Sequence, residues 1–133
     1  MKLATRCLLE LPGWAEAFVA DRGQPLETPE QRMALAIALS AENIERGTGG
    51  PFGALVVEES GGRLLGVGVN IVTSAGVSLA HAEMIALSMA QAAQNDWNLG
   101  KGEPVQLVTS CEPCAMCFGA GPWSGVSSLV WGA

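Results

Sequence analysis

Residues 105–117 read VQLVTSCEPCAMC, an apolar run that leads directly into three cysteines. Val105 to Thr109 are rich in β-branched residues, which is typical of a buried strand. The segment from Cys114 to Ala120 has the composition of a helix start. The stretch therefore predicts a strand followed by a helix, with the sulfur-rich segment where the helix begins.

A capping box predicts the first long helix of the chain. In Thr28-Pro29-Glu30-Gln31, threonine and glutamine stand three residues apart, and proline occupies the first helical position. Apolar residues then recur at helical spacing until Gly47, which ends the helix.

Turn signals separate the remaining elements. Gly53–Val57 and Leu64–Val69 are predicted to form an antiparallel hairpin. Ala80–Ala93 is predicted as a second helix and Ser128–Trp131 as a last strand. The order predicts a three-layer α/β/α domain over residues 28–133, in which the later strands pair in parallel through helical crossovers. Residues 1–27 form an N-terminal extension, with an additional helix around Trp14 and Phe18.

Composition excludes several classes of protein. A chain of 133 residues with 49% apolar content is one ordinary domain. The net charge is −6 and the seven basic residues are scattered, so no surface for nucleic acid is expected. No run reaches the roughly 18 apolar residues of a membrane span, and the start lacks a signal-peptide core. A soluble, cytoplasmic protein without a membrane partner is predicted.

Cys114 and Cys117 are candidate metal ligands. Two thiolates three residues apart at a helix start can face one ion, because the helix N-terminus favours negative charge. His81 begins the preceding helix, and helix N-termini in such folds meet at one sheet edge. A C-x-x-C alone also fits a redox pair or half of a structural zinc site. Cys111, outside this set, is interpreted as a small buried apolar residue.

Glu83 supplies what a catalytic zinc site needs in addition. Three protein ligands leave one coordination position for water, and hydrolysis requires a group that moves the proton of that water. The pattern His81-Ala82-Glu83, followed after residues 84–112 by Pro113-Cys114-Ala115-Met116-Cys117, is the H-x-E…P-C-x-x-C signature of zinc deaminases. It predicts hydrolytic deamination of an amino-heterocycle.

The chain resembles the cytidine deaminase superfamily, and within it the guanine deaminases, over nearly all of residues 29–133. The matching stretches are GPFGA at 50–54, Val69-Asn70 and TSCEPC at 109–114. The resemblance implies a cytidine deaminase-like fold with a mixed sheet, a Zn²⁺ cofactor and deamination of guanine to xanthine in purine metabolism. Relatives usually continue past the last strand, so C-terminal elements are expected to be missing or truncated here.

Four residues are candidates for binding the base. The resemblance implies a base-binding amide for Asn70 and a substrate contact for Ala82, although asparagine is also common in turns at strand ends. Phe52 and Trp123 either belong to the core or stack on a planar base. Glu112 is interpreted as a solvated carboxylate at a helix N-terminus.

Two other functions and a quaternary structure follow from the same residues. The tRNA adenosine deaminases share H-A-E, P-C-x-x-C and an asparagine matching Asn70, but the acidic chain is poorly suited to gripping RNA. A non-catalytic zinc-stabilised scaffold would have no use for Glu83. Apolar residues on the two site helices, together with the pairing habit of the family, predict a homodimer; these residues are Met84, Leu87, Met89 and Met116.

Overall fold

The sheet is mixed, and its order differs from the order of the strands along the chain. The computed structural model describes residues 1–133, with strands β1 (Gly53–Glu58), β2 (Leu64–Val69), β3 (Val105–Thr109) and β4 (Ser128–Trp131). They lie in the order β2-β1-β3-β4. β1 pairs antiparallel with both β2 and β3, whereas β3 and β4 pair in parallel.

Parallel pairing was predicted for the later strands and occurs only between β3 and β4. The crossover after β2 carries the chain past β1, so β3 runs in the direction of β2 but pairs with β1. The three-layer α/β class with a mixed sheet is confirmed.

Five helices surround the sheet: α1 (Ala15–Ala20), α2 (Pro29–Glu45), α3 (Val72–Ala75), α4 (Ala82–Gln94) and α5 (Ala115–Ser124), with a short 3-10 helix at Leu99–Lys101. The capping box of α2 is present, because Thr28 accepts a bond from the Gln31 amide and the Gln31 side chain accepts one from the Thr28 amide. None of the helices has the length and apolar character that crossing a bilayer demands.

The two faces of β1 pack against different helices. Leu55 and Val57 share a buried cluster with α2, whereas Ala54 and Val56 pack against α4. β2 carries no side chain at Gly68, where a Cβ atom would lie 2.1 Å from the Ala82 carbonyl oxygen. The first turn of α4 therefore packs directly on the strand, which fixes where that helix begins.

Candidate metal centre and adjoining cavity

His81 and Cys114 occupy equivalent positions at the starts of α4 and α5. Each is the N-cap residue, with an extended backbone at φ −69° and ψ 156° for His81 and φ −67° and ψ 172° for Cys114. Both predicted helices therefore begin slightly later than the sequence pattern indicated. Cys117 lies one turn into α5 and is fully buried, so the three side chains converge where the two helices start.

The distances within this cluster fit a zinc ion. His81 Nδ1 lies 3.6 Å from Cys114 Sγ and 3.6 Å from Cys117 Sγ, and all three atoms lie within 4.8 Å of one another. Tetrahedral zinc, with bonds of about 2.3 Å to sulfur and 2.0–2.1 Å to nitrogen, separates such ligand atoms by about 3.6 Å. Two thiols and one imidazole are also the donor types that zinc prefers.

The surroundings of Cys117 disfavour the ionised form of its thiol. Burial raises the pKa of its thiol well above the ordinary range, and the nearby Glu83 carboxylate raises it further. A divalent cation beside the sulfur opposes both effects, because it stabilises the thiolate. Cys114 is exposed, so the cluster is buried on one side and open on the other.

Glu83 lies beside the cluster without belonging to it. The residue is only 6% exposed. Its Oε1 accepts a hydrogen bond from Thr109 Oγ1 at 3.2 Å, and its Oε2 accepts one from Cys117 Sγ at 3.3 Å. The first bond holds the carboxylate with Oε2 toward the ligand cluster. Sequence reasoning gave Thr109 no role of its own, although it is the one polar residue that ends a buried strand inside the T-S-C-E-P-C match.

A small cavity of about 130 Å³ adjoins the cluster. Its walls are formed by two predicted base-binding residues, the predicted acid–base residue, two of the predicted ligands and one further carboxylate: Phe52, Asn70, Glu83, His81, Cys114 and Glu112. Phe52 is 38% exposed and is therefore available to a ligand. The exposed Glu112 was expected to be merely solvated, but it also lines this cavity.

The amide of Asn70 has a defined orientation. Its Oδ1 accepts a hydrogen bond from the Val72 amide at 3.1 Å, and this bond assigns oxygen and nitrogen within the group. The main-chain amide of Asn70 donates to the Phe52 carbonyl at 3.2 Å. Oδ1 is thus engaged by the protein, and Nδ2 provides the donors for a ligand in the cavity.

Two predicted base contacts do not line this cavity. Trp123 is 85% exposed and borders a separate groove between α4 and α5, together with Met84 and Met116. It lies in the last turn of α5, whereas the ligand cluster is at the first turn. Ala82 is fully buried against β2, because its carbonyl faces Gly68. Cys111 is half-buried and outside the ligand cluster.

Similar proteins include guanine deaminases. The guanine deaminase of Bacillus subtilis is 37% identical over 98 residues, which cover 74% of this chain and 60% of that protein. The structure of guanine deaminase from Nitrosomonas europaea has a TM-score of 0.87 and 39% identity, covering 100% of this chain and 73% of that chain. A mutant protein solved in complex with 8-azaguanine has a TM-score of 0.86 and 40% identity, and covers the same shares. Among the curated matches are also tRNA-specific adenosine deaminases.

The matched family region contains the whole cluster and cavity. Residues 26–133 match the cytidine and deoxycytidylate deaminase zinc-binding region. His81, Cys114 and Cys117 are positioned within that region to bind a metal ion, so a zinc cofactor agrees with both the family and the geometry. With its mixed sheet, its ligand cluster and this match over most of its length, the chain belongs to the cytidine and deoxycytidylate deaminase family.

Proposed function

We propose that the protein is a zinc-dependent aminohydrolase that converts guanine to xanthine and ammonia. One observation carries the proposal: the buried carboxylate of Glu83 contacts the three-residue ligand cluster and also lines a cavity bordered by Asn70. A structural zinc site needs neither the carboxylate nor the cavity. The similarity to two guanine deaminases supports guanine as the base.

Each residue of the site has a separate role in the proposed reaction. His81, Cys114 and Cys117 would hold the zinc ion, which would act as a Lewis acid and lower the pKa of a water molecule. Glu83 Oε2 takes one proton from the attacking water and passes it to the ring nitrogen, while the remaining hydroxyl adds to the neighbouring carbon that bears the amino group. In a second transfer, Glu83 carries the proton of the added hydroxyl group to the amino nitrogen; the carbon–nitrogen bond then breaks, ammonia leaves, and the hydroxyl oxygen becomes the new carbonyl. Thr109 holds the other oxygen of Glu83 throughout.

The cavity gives reasons for a small base as substrate. Nδ2 of Asn70 donates to an acceptor on the edge of the ring, and Phe52 covers part of its face. A base without a matching acceptor would leave a polar group unpaired, which costs about 1–3 kcal/mol. The net charge of −6 removes the salt-dependent attraction that RNA binding requires.

Substrate preference is the direct test. The full-length protein is expected to release ammonia from guanine faster than from cytosine, adenine, cytidine or an RNA hairpin at equal concentration. Asn70→Ala is expected to lower kcat/KM for guanine by about 5- to 150-fold, the equivalent of 1–3 kcal/mol, with zinc content unchanged. Ammonia release and elemental analysis measure the two quantities.

Asn98→Ala is the matched control for this substitution. The Asn98 side chain accepts a bond from the Gly100 amide near the 3-10 helix, outside the cavity, so the activity should not change. Faster turnover of the RNA hairpin would identify an editing enzyme of the tRNA deaminase type. Zinc retention without ammonia release from any substrate would favour the non-catalytic scaffold.

We also propose a homodimer formed through the groove between α4 and α5. Met84 and Met116 line this groove, and Phe118 and Trp123 are exposed on α5. Sedimentation at micromolar concentration should show twice the chain mass, and Trp123→Glu should shift the protein toward monomer because it places a charge in an apolar contact. A wild-type monomer at that concentration would contradict this arrangement. We further propose a cytoplasmic location, because cysteines that serve as metal ligands rather than forming disulfides are typical of a reducing compartment.

A further inference from the structure

Asn43 is a fully buried polar residue on α2 that the proposed mechanism does not use. Its Nδ2 donates to two main-chain carbonyls, those of Gly50 and Asn70, each at 2.8 Å. Its Oδ1 accepts a hydrogen bond from Thr48 Oγ1 at 2.6 Å. Both donors and the acceptor of this amide are therefore engaged, and they join the loop after α2 to the end of β2.

Thr48 extends these bonds to the N-terminal segment. Its Oγ1 accepts a hydrogen bond from Trp14 Nε1 at 3.1 Å. Trp14 packs edge-on against Phe18, with ring centroids 5.3 Å apart, and both aromatic rings pack on the core. On its other side, Thr48 accepts a bond from Ser74 Oγ through its carbonyl oxygen at 2.9 Å. A continuous path of hydrogen bonds thus runs from Trp14 through Thr48 and Asn43 to Asn70.

The path ends on the residue that borders the cavity. Asn43 holds the carbonyl of Asn70, Phe52 holds its amide, and Val72 holds its side-chain oxygen. The loop also approaches very closely, since a Cβ atom at Gly49 would lie 1.8 Å from the Asn70 carbonyl oxygen. The orientation of the Asn70 side-chain amide therefore depends on Asn43, Val72 and Phe52. Of these three residues, only Phe52 lines the cavity.

We propose that Asn43, anchored by Thr48 and Trp14, is a positioning residue for Asn70, and that the N-terminal extension thereby supports base binding. The part concerning the base rests on the proposed function, in which Asn70 contacts the substrate. The part concerning Asn70 itself rests only on the hydrogen bonds. Through Trp14, residues 1–27 would then contribute to the position of a base-binding residue within residues 28–133.

Two substitutions break the path at different points. Trp14→Phe removes the Nε1 donor and Thr48→Val removes the hydroxyl, while each keeps most of the apolar volume. Both are expected to raise the KM for guanine and the Kd for 8-azaguanine by about fivefold, the equivalent of one lost hydrogen bond, with little change in kcat. Hydrogen exchange at the Val72 amide should accelerate, because it reports whether Asn70 Oδ1 remains in place. Thr48→Ser keeps the hydroxyl and should restore both readouts.

Ser128→Ala is the matched control, because its hydroxyl bonds Glu59 Oε1 at 2.6 Å at the opposite end of the sheet. It should lower the melting temperature without changing KM or Val72 exchange. Unchanged Val72 exchange in Thr48→Val overturns the positioning role. Faster exchange with unchanged base affinity overturns the link to substrate. If the wild-type protein binds no base at all, the proposed function fails and the link to substrate fails with it, while Val72 exchange still decides whether the path holds Asn70.

Discussion

Glu83→Gln is expected to keep its zinc and to lose about 10²- to 10⁴-fold in kcat, the usual contribution of general acid–base catalysis. The glutamine amide has nearly the shape of the carboxylate, and its oxygen still accepts the bond from Thr109 that Glu83 Oε1 now accepts. An amide nitrogen takes the place of Oε2, and it cannot take up a proton from water. Ammonia release at saturating guanine measures kcat, and elemental analysis measures zinc.

Glu103→Gln provides the matched control for this change. Glu103 is exposed and lies outside the cavity, so the same loss of charge should leave both kcat and zinc content unaltered. Full activity in Glu83→Gln would remove the proposed proton shuttle. Loss of zinc in that variant would instead make Glu83 a ligand or a support of the ligands.

The order of the elements could be predicted from the sequence because its signals are local. Thr28, Pro29 and Gln31 specify the start of α2 within four residues, and the structure contains the predicted capping box. The position of β3 next to β1 could not be predicted in this way, because β1 is buried on both faces and its apolar run does not identify its neighbours. α3, with four residues, is too short for a periodic pattern.

The site residues also differ in whether they can be recognised from the sequence. His81 with Glu83, and Cys114 with Cys117, are close pairs whose chemistry is recognisable from their spacing. Thr109 and Asn43 contact partners 26 and 27 residues away, and threonine or asparagine at a single position carries no chemical signature. The path through Asn43 therefore became visible only once the fold brought α2 and the end of β2 together.

Cys117→Ser is expected to lower zinc content from about one ion per chain to a small fraction and to abolish deamination. A serine hydroxyl at this buried position is a much poorer zinc ligand than a thiolate, because it does not ionise near neutral pH and its oxygen is a harder donor. Loss of a residue that merely orients a ligand already costs 10- to 100-fold in metal affinity, so the loss of a ligand should cost at least about 100-fold. Chelator competition measures the affinity.

Cys111→Ser makes the same change six residues earlier, at a half-buried cysteine outside the ligand cluster. It should keep both zinc and activity, which separates ligation from a general sensitivity to replacing cysteine. The opposite pattern, with zinc lost in Cys111→Ser and kept in Cys117→Ser, would assign the second sulfur ligand to Cys111. Because Cys114 and Cys117 share the first turn of α5, that result would also require the start of this helix to be arranged differently, and the water-activating role of the cluster would then have to be reassigned.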